Sequence, residues 1–243
     1  VFGINPGIGA FLLSFLCGFP AMLLYSSIHN ISAFVMLSGD ILLPLPAIFS
    51  SGTTFSNESV LLMILVSGAL PILIREFFFR GLLYALLPSQ HRGFTGIVFI
   101  SLLFAISMLN PVDFIALFLL GLLLGYIRHT THNVFCPILT QVAMVICFFI
   151  FKDLLPHLDV STVRSHIDID VTTIYVSIVV FILCLFALFP LISNLYKISI
   201  YLRLERSDDH TTEPSSIKPH LGGSMLMAVI IYAGLWALIL SGY

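Results

Sequence analysis

Uninterrupted apolar stretches recur along this 243-residue chain, and they decide what it can fold into. They run at roughly Ile8–Tyr25, Ile31–Phe49, Ser59–Leu87, Phe94–Leu109, Phe114–Ile127, Val134–Phe151, Thr172–Tyr196 and Ser224–Leu240. A bilayer core about 30 Å thick is crossed by a helix of about 20 apolar residues, and the shorter runs reach that length by recruiting flanking residues. Inside hydrocarbon every backbone N–H and C=O must be paired within the protein, so runs of this kind predict helices. The expected fold is all-α: a polytopic transmembrane helical bundle of about eight helices. Composition excludes the alternative of an ordinary soluble domain, since 59% of the residues are hydrophobic and only 9% are charged.

The few charges predict orientation and exclude partners. Arg92, Arg128, Lys197, Arg203, Arg206 and Lys218 fall in alternate loops, whereas the opposite loops hold only Lys152 and Arg164 beside Asp153, Asp159, Asp168 and Asp170. Basic residues are retained on the cytoplasmic side, which puts the first set inside and, with eight helices, both ends of the chain outside. The polar stretch 202–223 then becomes a cytoplasmic loop. Ten Lys and Arg and a net charge of -2 cannot make the concentrated basic face that a nucleic acid requires. Cys17, Cys136, Cys147 and Cys184 lie in apolar runs without paired or zinc-type spacing and read as small buried side chains. The run from Ile8 lacks the basic n-region of a signal peptide and is read as a span.

Ionisable groups deep in a span are costly unless paired, and so they mark candidate sites. The densest group is Arg75-Glu76-Phe77-Phe78-Phe79-Arg80-Gly81, more than one helical turn away from the loop at Pro88. Glu76 and Arg80 are four residues apart and share a helix face. Two readings stand at this point: a pair that locks the helix to its neighbours, or a catalytic carboxylate.

The surroundings of this segment carry a resemblance. REFFFRGLLYALL at 75–87, SLLFAISMLNP at 101–111 and FLLGLLLGYIRHTTHNVFCPILTQ at 118–141 resemble, in order and spacing, the CAAX protease and bacteriocin-processing (CPBP, or Abi) family. That family cleaves peptides within the membrane from a four-helix core, with the motifs EExxxR, FxxxH and HxxxN on successive helices. The resemblance implies a core at 59–151, flanked by N-terminal helices at 1–58 and C-terminal helices at 152–243. Aligned on Arg80, the first glutamate of the family falls on Arg75 and the second on Glu76. The histidine of FxxxH falls on Met108, and the last histidine and asparagine on Gln141 and Val145.

In the mechanism that the resemblance implies, the first carboxylate activates water, and the histidines and asparagine hold it or stabilise the oxyanion. A guanidinium at 75 cannot accept a proton, and methionine and valine supply no hydrogen-bond donor. No catalytic residues are therefore expected at this degenerate site; Glu76 and Arg80 would carry any chemistry that remains. Antiparallel counting from the loop near Gln90 sets Glu76 and Met108 at similar depth.

The expected function is that of a scaffold, stabiliser or regulator of a membrane or surface protein; the alternative is an active intramembrane endopeptidase of the CPBP type. Membrane lipids are the other expected partners, and no cofactor or metal is expected. The bacterial cytoplasmic membrane is the expected location. His129 and His132 form an HxxH without an acidic partner, a weak metal signal. Asp40, before Pro44 and Pro46, reads as part of a broken helix, and Gly121 and Gly125 as a close-packing GxxxG. The expected partner surface is the flanking spans together with the loop 153–171.

Overall fold

The computed structural model describes residues 7–36, 70–87, 93–151 and 171–207, and over these residues the chain is all-helical. Six helices follow in order: α1 (Gly7–Met36), α2 (from Leu70 to Leu86), α3 (Phe94–Ser107), α4 (Phe114–Thr131), α5 (Phe135–Phe151) and α6 (Val171–Ser207). Three of them, Gly7–Met36, Phe114–Thr131 and Val171–Ile198, are long and apolar enough to cross a membrane, and α3 and α5 are shorter apolar helices. Most of the expected span Ile31–Phe49, the first part of Ser59–Leu87, all of Ser224–Leu240, Asp40 and the expected loop 153–171, except Val171, lie outside the described residues.

α1 is the hub of the bundle, packing against α4, α5 and α6, while α2 rests on α3 and α5. Small residues let the backbones approach. A Cβ on Gly18 would stand 2.4 Å from the Thr140 carbonyl oxygen, one on Gly121 2.9 Å from Ser101 Cβ and one on Gly125 2.7 Å from Ile97 Cγ2. The GxxxG of α4 is thus a seam with α3, as its sequence predicts. Thr140 adds a hydrogen bond from its hydroxyl to the Ser14 carbonyl at 2.8 Å. The main core gathers Tyr25, Phe79, Ile100, Phe104, Leu117, Leu124 and Met144 from five helices. All four cysteines are buried and unpaired.

Two expectations need correcting. The polar residues 26–30 read as a loop between two spans, yet they lie within the single helix α1. Ser26, Ser27, His29 and Asn30 are buried there: the Ser27 hydroxyl donates to the Leu23 carbonyl of α1 at 2.8 Å, while His29 and Asn30 find partners outside α1, which removes the need for a turn. Likewise α6 continues to Ser207, six residues into the stretch read as a loop.

The first correction changes the topology. The His29–Asp113 pair and the apolar cluster that gathers Ala10 and Cys17 with Ile127 make α1 antiparallel to α4, so the first turn of α1 lies at the Arg128 end of the bundle. Gly9 faces Ile198 at that same end, next to Lys197. If the basic end is inside, α1 starts inside rather than outside.

Candidate functional site

α2 is regular only to Glu76. From Phe77 to Leu83 it is π-helical, and it closes with an α-turn at Tyr84–Leu86. The Tyr84 N–H reaches back to the carbonyl oxygens of Phe79 and Gly81. Short π segments inside helices change which side chains share a face and are frequent at functional sites.

Here the segment surrounds a charge cluster. Glu76 is fully buried and Arg80 is 1% exposed. Arg80 Nη1 donates to Glu76 Oε1 at 2.8 Å, and Gln141 Nε2, from α5, donates to the same oxygen at 2.6 Å. The Arg80 guanidinium lies over the ring of Phe104 at 4.3 Å, a cation–π contact in a desolvated setting. Glu76 Oε2, Arg80 Nε and Arg80 Nη2 are buried and have no hydrogen-bond partner among the described residues. Arg75, partly exposed, donates from Nε to the Pro71 carbonyl at 3.3 Å and from Nη1 to Met108 Sδ at 3.5 Å.

The six positions picked out in the sequence therefore divide as follows. Arg75, Glu76, Arg80, Met108 and Gln141 form one connected group from α2, the end of α3 and α5. Val145, one turn beyond Gln141, packs instead with Ile72 and Ile138 in a small apolar cluster. Glu76 is buried and paired, and the depth match between α2 and Met108 holds through the Arg75 contact.

A second polar centre was missed. His29 Nδ1 pairs with Asp113 Oδ1, and Asn110 Nδ2 donates to Asp113 Oδ2 at 2.7 Å. The turn between α3 and α4 sets this geometry: Leu109 has a left-handed φ of 51°, and Asn110 Oδ1 accepts from the Val112 N–H at 3.1 Å. Tyr25 stacks on His29 with ring centroids 6.3 Å apart. Next along α1, Asn30 Nδ2 donates to Ser177 Oγ at 3.2 Å and ties α1 to α6. The available signal was the juxtaposition of His29 and Asn30 with an otherwise apolar stretch, which read more simply as a loop.

The His129 and His132 rings lie 6.1 Å apart, centroid to centroid, and each makes a contact of its own. His129 Nδ1 hydrogen-bonds the Tyr84 hydroxyl at 2.9 Å, and His132, with a φ of 52°, ends α4 with its N–H on the Arg128 carbonyl at 3.0 Å. Among the described residues no three His, Cys, Asp or Glu side chains are grouped as metal ligands.

Residues 57–147 match the family described as type II CAAX prenyl endopeptidase Rce1-like. No curated protein and no solved structure matches the chain. The matched segment contains the whole charge cluster as well as Val145. Three helices long and apolar enough to cross a membrane point to a multi-pass membrane protein, and over residues 57–147 the chain is similar to the Rce1-like CAAX endopeptidases.

Proposed function

We propose that this CPBP-type protein binds rather than cleaves: it acts as a scaffold, stabiliser or regulator of another membrane or surface protein. One observation carries the proposal. The position that aligns with the family's water-activating carboxylate is Arg75, and its guanidinium rests on the sulfur of Met108, which stands where the family has a histidine. A cation bonded to a thioether can neither take a proton from water nor stabilise an oxyanion through that methionine. The remaining carboxylate is engaged as well, because Glu76 Oε1 accepts from both Arg80 and Gln141. Losing a single oxyanion donor costs about 100-fold or more in rate, and here base and donor positions change together.

The endopeptidase reading retains one point in its favour: Glu76 Oε2 has no partner among the described residues. Incubating the purified protein in lipid nanodiscs with membrane-proximal and prenylated peptides separates the two. The binding reading expects no cleavage and, on mild extraction from the native membrane, a stoichiometric companion protein. Cleavage that disappears in Glu76→Gln would overturn it.

A further inference from the structure

We propose that Arg75 is a recognition cation for a carboxylate carried by the membrane-spanning helix of a partner protein, which packs along the outward stripe of α2. This rests on the binding reading and names the chemistry of the contact.

The argument starts from a charge count. Glu76 and Arg80 neutralise each other through a direct ion pair, and Gln141 adds no charge. Arg75 is left over. Its two hydrogen bonds go to a carbonyl and a thioether, and among the described residues it has no ion pair. The cluster therefore carries one uncompensated positive charge. It does so inside an apolar run, twelve residues before Leu87, which is several helical turns even with the π-helical segment between them. Cations at such depth pair with carboxylates or backbone carbonyls or face a cavity, because leaving them bare costs several kcal/mol.

Access distinguishes Arg75 from its neighbours. Glu76 and Arg80 are sealed inside, whereas Arg75 is partly exposed. Beside it on α2 runs an apolar stripe at four-residue spacing, with Ile74 61%, Phe78 47% and Leu82 49% exposed. In lipid such a stripe gives little preference for a partner by itself, since tails are as apolar as leucine, and selectivity must come from a polar contact. Arg75 at the margin of the stripe supplies one. Its planar guanidinium suits a carboxylate in two-point contact. A lipid phosphate is the less suitable counter-ion, because it sits at the interface rather than at this depth.

The test uses the full-length protein, labelled with a fluorophore, in phosphatidylcholine bilayers. The probe is a leucine-rich transmembrane peptide with one central Asp, compared with Asn and Lys versions by energy transfer. The expected result is about tenfold tighter association of the Asp peptide than of the Asn peptide, with the Lys peptide weakest. Arg75→Gln should abolish the preference and Arg75→Lys should keep part of it. Met108→Glu should also abolish it, by placing a carboxylate of the chain's own where the methionine sulfur now meets Arg75; this variant serves if Arg75→Gln does not fold. Equal binding of Asp and Asn peptides overturns the proposal, as does a preference that survives Arg75→Gln and Met108→Glu. So does loss of the preference on adding phosphatidylglycerol, which would identify a lipid phosphate as the counter-ion. None of these results touches the binding reading, which fails only if peptide is cleaved in a Glu76-dependent way.

Discussion

Neutralising both members of the Glu76–Arg80 pair should harm the protein less than neutralising either one. The two side chains are within 1% of complete burial and meet at 2.8 Å, so each is the main compensation for the other's desolvation. Removing one partner of such a pair costs about 3–5 kcal/mol, because the survivor stays buried and uncompensated, whereas replacing both by neutral groups of similar volume is often close to neutral. The surroundings refine the order. In Arg80→Met, Glu76 keeps the Gln141 donor and the nearby Arg75 charge. In Glu76→Gln two guanidiniums, at 75 and 80, are left in one cluster with no carboxylate among the described residues to pair with either, and this variant should be the least stable. The expected order of stability is wild type, then Glu76→Gln/Arg80→Met, then Arg80→Met, then Glu76→Gln. Thermal unfolding in detergent, followed by size-exclusion recovery after heating, reads this order. A double variant whose loss equals the sum of the two single losses would mean that the pair is not coupled, and the reasoning would fail.

Three other outcomes are expected. Adding a methyl group should cost most at Gly18, where it would meet a backbone carbonyl and Ala143 Cβ, and less at Gly121 against Ser101 and at Gly125 against the Cγ2 methyl of Ile97; overpacking costs about 1–3 kcal/mol, and thermal unfolding of the three Gly→Ala variants ranks Gly18 apart from the other two. Elemental analysis of purified protein should return no stoichiometric zinc, since one carboxylate, a thioether and an amide make a poor zinc site; one equivalent that vanishes in Glu76→Ala would refute this. Single cysteines at Ile8 and at His132, in a background lacking the four native cysteines, should be modified by an impermeant thiol reagent from the same side of the membrane, and one at Pro111, in the partly exposed turn between α3 and α4, from the other; labelling of Ile8 and Pro111 from one side would contradict the packing of α1 against α4.

What could be read from the sequence was whatever a periodic or fixed-spacing signal carried. The i, i+4 spacing placed Glu76 on Arg80, and antiparallel counting brought Arg75 to Met108, because helices rising about 1.5 Å per residue leave little freedom once a short connection is fixed. Gln141 came to Glu76 from α5, a long-range contact that the resemblance implied and that no local pattern could have supplied. The GxxxG of α4 was legible because only close backbone approach explains small residues at that spacing in an apolar run.

The His29–Asp113 centre was not legible, and the reason is physical rather than a matter of weak signal. Hydropathy treats a polar residue as a cost to be placed in water, so Ser26-Ser27-Ile28-His29-Asn30 looks like a loop. Its cost is offset inside the bundle by groups distant in sequence: Asp113, 84 residues away, and Ser177, 147 residues beyond Asn30. Asp113 is available for that contact only because Leu109 adopts a left-handed conformation and Asn110 turns its amide onto the carboxylate. A polar group inside a membrane protein is thus an interior residue or a loop residue depending on whether a partner exists elsewhere in the chain, which a window of neighbouring residues cannot reveal. The same logic separates the two centres described above. At His29 the partner is supplied from within and the centre joins α1 to the rest of the bundle; at Arg75 the described chain supplies only uncharged contacts, and the missing charge is what a partner can bring.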